Sequence, residues 1–320
     1  MTDLNHARLA HLPVSLFSIV MGTTGLAIAW KRAAHVLGAP DFVWQSIALF
    51  ATAVFVLLLG LYASKILRHR DAVIEELRHP VRINFFPTIS ISLFLLSIAA
   101  AGVLPAISSA LWHVGVVIHL GFTLMAMSSW IHHTHYDIKH MNPAWFIPVV
   151  GNLFVPIVGV SVAPADVSWF FFSIGIVFWL VLLTIVMNRL FFHAALPDRL
   201  APTLFILIAP PAVGFVSWLA LAGNLDAFGR ILYNFGLFLT LLLASNALRF
   251  VRLPFFVSSW AYSFPLAAIT IASFAMHAHT GTPFHLWVGI ALLMLVSALV
   301  LFLAVRTVLA VRAQSICQPE

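Results

Sequence analysis

Charge is scarce in this chain. Only 8% of its 320 residues are Asp, Glu, Lys or Arg, against about 25% in a typical soluble domain. Hydrophobic residues make up 62%. No soluble fold of this length has enough interior to hide so much apolar surface. A water-soluble globule and a disordered chain are therefore excluded. Cysteine is nearly absent: Cys317 stands alone, so no intrachain disulfide forms and a secreted disulfide scaffold is excluded as well. Acidic residues number 10 and basic ones 16, a net charge of +6. The basic residues lie between apolar runs. They read as loops against anionic lipid headgroups, not as a nucleic-acid surface. What is left is a polytopic helical membrane protein.

Ten apolar runs are long enough to cross a bilayer: 12–30, 42–64, 83–104, 107–130, 144–162, 167–187, 202–222, 231–248, 255–276 and 284–305. None contains Asp, Glu, Lys or Arg. The runs are continuous and do not alternate, which indicates helices and not barrel strands. No small-residue cleavage site follows 12–30, so that run reads as a first span and not as a signal peptide. Residues 1–320 read as one transmembrane domain.

The loops divide the basic residues unequally. One side receives Arg8, Lys65, Arg68, Arg70, Arg78, Arg82, Lys139, Arg189, Arg199, Arg249, Arg252, Arg306 and Arg312; the other receives only Lys31, Arg32 and Arg230. Such a bias predicts that both termini are cytoplasmic.

Proline marks alternate spans. Pro13 opens the first, Pro87 lies in the third, Pro148 and Pro156 in the fifth, Pro210 and Pro211 in the seventh, and Pro265 in the ninth. The even spans have none inside. The chain therefore reads as five hairpins, each a kinked helix followed by a regular one. Proline frees backbone groups, which is tolerated only where protein or water satisfies them. The odd helices are expected inside and the even ones outside, against lipid.

Four motifs sit on the odd spans: His79-Pro80-Val81-Arg82-Ile83-Asn84-Phe85-Phe86, Asn142-Pro143-Ala144-Trp145-Phe146-Ile147-Pro148 followed by Gly151-Asn152, Ala209-Pro210-Pro211-Ala212, and Trp260-Ala261-Tyr262-Ser263-Phe264-Pro265. With the ten-span layout, they resemble the tellurite-resistance/dicarboxylate transporter family. That family includes the bacterial TehA-type proteins and the slow anion channels of plant guard cells. The resemblance runs from about Leu12 to about Arg306. It implies five hairpins in pseudo-fivefold arrangement around a central pore, a homotrimer with one pore per protomer, and a bacterial inner-membrane location. It also implies a gate: Phe264 matches the family's pore-closing phenylalanine by its Ser-Phe-Pro context. Independently, Phe264 falls near the centre of its span, at mid-membrane, beside a proline.

The expected function is an anion channel or facilitative anion transporter, with small inorganic or organic anions and membrane lipid as partners. A coupled exporter of C4-dicarboxylate, tellurite or sulfite is the alternative. Apolar spans without charge speak against coupling through a buried carboxylate. They also imply that no fixed cation sits in the pore, leaving helix dipoles and the basic rim to favour anions. Pore-lining candidates on the odd helices are Phe17, Ser18, Met21, Gly22, Phe85, Phe86 and Asn152. No cofactor, metal or enzymatic activity is expected. His132, His133, His135 and His140 read as a solvated loop. His113 and His119 are six residues apart, about 240° around a helix, and cannot share a ligand face. His277, His279 and His285 supply no convincing partner set for a membrane haem.

Overall fold

A computed structural model describes residues 8–132 and 136–318. His133 and His135 lie outside the described residues. Among these residues there is no strand, and ten helices are long and apolar enough to cross a membrane. They are α1 (Val14–Leu37), α2 (Asp41–Arg68), α3 (Arg82–Ala100), α4 (Pro105–His132), α5 (Pro143–Val162), α6 (Ala165–Phe192), α7 (Ala201–Ala222), α8 (Ala227–Ala244), α9 (Val257–Thr280) and α10 (Pro283–Arg312). Each matches one apolar run of the sequence.

The odd helices are inside. Between 56% and 83% of their apolar windows is buried, against 22–39% in the even ones. Each odd helix pairs with the even helix that follows it. The odd helices also touch in sequence, α1 on α3, α3 on α5, α5 on α7 and α7 on α9, and α9 returns to α1. The five inner helices therefore form a closed ring, with the even helices on its outer side. The turns from odd to even helices are short, and glycines with positive φ end α1 (Gly38), α7 (Gly223) and α9 (Gly281). Asp226 caps α8, accepting from the Gly229 N–H at 2.9 Å and the Trp218 indole N–H at 2.8 Å. The Gly229 N–H above all holds its carboxyl below the ordinary range.

Every odd helix changes type along its length. Each begins with a 3₁₀ segment: Val14–Leu16, Arg82–Phe85, Pro143–Trp145, Ala201–Ile208 and Val257–Tyr262. Each then continues as α-helix, with a second 3₁₀ turn at Gly151–Phe154 in α5. The prolines mark the change. Pro87 immediately precedes its α-segment, and Pro148, Pro156, Pro210, Pro211 and Pro265 fall in the first turn of theirs. There the missing N–H costs little, because first-turn donors have no intrahelical acceptor. The kink expected at each proline is thus a junction between helix types. Side chains cover carbonyls at these junctions: Ser18 donates to Ser15 O at 2.6 Å, Thr88 to Phe85 O at 2.5 Å, Asn152 to Val149 O at 2.8 Å, and Ser263 to Trp260 O at 2.6 Å. The even helices are single uninterrupted α-helices.

Where α9 returns to α1, glycine allows a close approach. A Cβ added at Gly22 of α1 would stand 2.7 Å from Ser263 Cβ on α9. Neither backbone can yield without moving a helix. Gly22→Ala is expected to cost about 1–3 kcal/mol, the usual range for overpacking. Thermal denaturation in detergent measures this; an unchanged midpoint would show that the two helices are less tightly apposed.

Candidate functional site

Two cavities lie along the axis of the inner ring. The first holds about 570 Å³ of empty volume, its open mouth included, and the second about 410 Å³. All five odd helices line both. Their N-terminal halves face the first cavity, through Ser18, Met21, Thr88, Val150 and Pro210 among others. Their C-terminal halves face the second, through Ile28, Ile98, Ile157, Val216 and Ile271. The five helices are therefore parallel, and the cavities form one column. Two residues border both cavities: Phe154 of α5 and Phe264 of α9. Their ring centroids are 5.4 Å apart and the planes are tilted by 50°. This aromatic pair is the partition.

Each ring is supported from behind. Phe154 stacks on Phe94 of α3, centroids 6.5 Å apart and planes within 12°. Phe264 lies against Gly25 of α1, where an added Cβ would be 3.1 Å from its Cδ2. Gly25 thus provides the socket for the Phe264 ring. Only 6% of Phe264 and 4% of Phe154 is exposed, so both rings are buried where the two cavities meet.

Three of the seven pore-lining candidates, Ser18, Met21 and Phe85, border the first cavity. The other four face elsewhere. Phe17 packs edge-on to Phe55 and Tyr62 of α2. Phe86 contacts Tyr62 and Phe122. Gly22 is taken up by the contact with Ser263 and Trp260. Asn152 is turned outward toward α4, donating to Thr123 Oγ1 at 3.1 Å. A helix presents only part of its surface to the axis, and an aromatic or amide next to a junction is as useful for packing against the outer ring.

Phe154 went unnoticed in the sequence. The signal was present: it lies at the centre of the apolar run 144–162, as Phe264 does in its own. Arg32 was missed for a different reason. The apolar run stops at Trp30, but α1 continues to Leu37 and carries Lys31 and Arg32 within it. Arg32 borders the second cavity, so the expectation of a column without a fixed cation is corrected. A long cationic side chain at a helix end keeps its head in water while its stem covers apolar surface.

Two basic residues counted with the solvated rim, Lys65 and Arg189, are buried. Lys65, 2% exposed, pairs with Glu76 Oε2 at 2.7 Å and donates to Leu12 O at 2.8 Å. Glu76, also 2% exposed, accepts from Tyr62 OH at 2.9 Å and from the Val14 N–H, at the start of α1, at 2.7 Å. The carboxylate thereby satisfies a free donor at the positive end of α1. Arg189 is likewise buried and donates to Ala194 O.

The histidines are dispersed. His119 is fully buried, with Nδ1 2.8 Å from Ser90 Oγ, while His113 is on the exposed face of the same helix. His277 and His279 contact backbone carbonyls at the end of α9, and His285 contacts Tyr233 OH at 3.2 Å. Among the described residues no three His, Cys, Asp or Glu side chains are grouped to hold a metal ion.

The voltage-dependent anion channel family model, SLAC1, matches residues 11–308. The chain is 30% identical over 275 residues to the S-type anion channel SLAH3 of Arabidopsis thaliana, covering 83% of this chain and 43% of that one. It is 27% identical to an uncharacterized transporter of Methanocaldococcus jannaschii, covering 81% and 82% of the two chains. It is 25% identical to the tellurite resistance protein TehA homolog of Haemophilus influenzae, covering 83% and 81%. The chain spans about half the length of the plant relatives SLAH3 and SLAH2, 43% and 52%.

Proposed function

This chain belongs to the SLAC1 family, described as voltage-dependent anion channels, and we propose that it passes small anions through the divided column, with Phe264 as the gate. It is a multi-pass membrane protein. The observation that carries the reading is the single aromatic partition shared by two cavities. A hydrophobic constriction of this kind stops ions by excluding water. No Asp or Glu borders either cavity, so the walls of these cavities offer no carboxylate to carry a coupling proton. Passive flow is therefore favoured over the coupled export of dicarboxylate, tellurite or sulfite. Current across a bilayer containing purified protein tests this. Steady anion-selective current supports a channel; substrate-dependent uptake without current supports a carrier.

The proposal extends to assembly and location. The exposed apolar faces of the even helices suit lipid and neighbouring copies, in line with a homotrimer having one pseudo-fivefold pore per protomer. The unequal division of basic residues supports a bacterial inner-membrane protein with the N-terminal cavity open to the cytoplasm. A reporter fused after residue 320 is expected to be active in the cytoplasm. Activity confined to the periplasm would overturn the orientation.

A further inference from the structure

Arg32 is the one charged side chain bordering either cavity. Its surroundings there are aliphatic: Ile28, Leu95, Ile98, Val216 and Ile271. Among the described residues it makes no hydrogen bond or ion pair. Its neighbour Lys31 is fully engaged. Lys31 Nζ donates to Ala99 O at 2.9 Å and Ala101 O at 2.5 Å, and lies 5.0 Å from the Trp44 ring centre. It ties the end of α1 to the carbonyl end of α3, a favourable place for a cation. Asp41, the nearest acidic group along the chain, accepts from the Trp44 indole at 2.8 Å and does not border the cavity. So one of two adjacent cations is used by the fold, and the other is left beside an open cavity.

The field in this cavity makes the spare charge significant. The C-terminal halves of five parallel helices line it, so it lies toward their partially negative ends. On helix dipoles alone, an anion would be favoured in the first cavity and opposed in the second. A guanidinium on the wall of the second offsets that opposition. Its planar fork of donors matches two oxygens of one ligand, a geometry that a spherical halide cannot use.

We propose that Arg32 is the anion-docking group of the second cavity and that it favours carboxylate-type oxyanions over halide. The proposal deepens the channel reading and rests on it for its role in permeation, but binding can be measured without conduction. Formate is the probe, compared with chloride at equal ionic strength on purified full-length protein. Formate is expected to raise the thermal midpoint of the wild type more than chloride does. Arg32→Gln should abolish that difference. Arg32→Lys should retain stabilisation by both anions but lose the preference, because an ammonium lacks the fork. In a Phe264→Ala background, Arg32→Gln should lower the formate-to-chloride permeability ratio about fivefold, the scale of one partly exposed charge-assisted contact. Arg32 has no partner in the fold, so its replacement should leave the midpoint in anion-poor buffer unchanged. Equal formate stabilisation in wild type and Arg32→Gln overturns the docking role. Arg32→Lys with the same formate preference as wild type overturns the guanidinium fork as the source of that preference. Substrate-dependent uptake without current from the Phe154→Ala, Phe264→Ala double variant, with the formate effect intact, overturns the channel reading and leaves Arg32 as a binding residue.

Discussion

Phe264→Ala is expected to raise anion conductance by at least about tenfold, which corresponds to a barrier lowered by only about 1.4 kcal/mol. Removing the ring joins the two cavities, of about 570 and 410 Å³, on one side of the partition. Water can then cross the constriction, and dewetting no longer holds it shut. The ring of Phe154 remains, so closure is weakened and not erased. Phe154→Ala is expected to open the column as well, and the double variant to exceed either single one. Phe264→Leu should be intermediate, since a smaller apolar plug still disfavours water. The cost in stability follows from the packing. A Phe→Ala change in a closed core costs about 3–5 kcal/mol. Phe264 is packed on Phe154 and Gly25 but has open space above and below. Its loss should cost less than that range, though more than for a side chain projecting freely into a pore. Planar-bilayer recordings and thermal midpoints decide both points. Wild-type current from an intact Phe264→Ala protein would mean that the column closes elsewhere.

The second large effect is on folding. Glu76→Ala should destabilise the protein by about 3–5 kcal/mol, the cost of leaving one partner of a buried ion pair alone. The variant strands three groups at once: the Lys65 ammonium, the Tyr62 hydroxyl and the Val14 N–H. Because Val14 starts α1 and Lys65 also holds Leu12 O, the damage falls on the entrance of the first inner helix. Replacing both charges, as in Lys65→Met with Glu76→Leu, removes the unpaired ammonium and should recover part of the loss. Recovery should stop short of wild type, since the Val14 N–H and Tyr62 hydroxyl still lack an acceptor. Thermal midpoints of Lys65→Met, Glu76→Leu and the two combined give the coupling directly. A Glu76→Ala protein as stable as wild type would show that the pair contributes nothing to the fold.

The ten helices and their inner and outer placement were legible because two independent periodicities agree. Apolar length marks each span, and proline marks every second one. The junctions were less legible. Proline signals a break, but a first turn following a 3₁₀ segment and a mid-helix kink leave the same residue in the sequence. Lys65 lies on the last turn of α2 and Glu76 on the short helix Arg70–Arg78 that follows the break at His69, and only the folding of that helix back onto α2 brings them together. Hydropathy reads each as a solvated charge, because it scores residues singly and pairing is a property of two. Arg32 escaped for a related reason: an apolar window ends where charge begins, whereas the helix itself continues from Trp30 to Leu37, about two more turns. At the partition, the Ser-Phe-Pro context pointed to one ring. Its partner Phe154 has a different context, between Gly151-Asn152 and Pro156, and was identifiable only by depth.

The return of α9 to α1 closes the inner circle, and a circle has no first member. Each inner helix touches one inner helix on either side, and the pair at the two ends of the chain packs together as the peptide-linked neighbours do. Arg8 and Ile316 meet across that gap, the guanidinium donating to the Ile316 carbonyl at 3.3 Å. Covalent order and spatial order are therefore separable here. The chain dictates which hairpins can be neighbours through their side chains, while the place where the polypeptide opens is a choice the architecture leaves free.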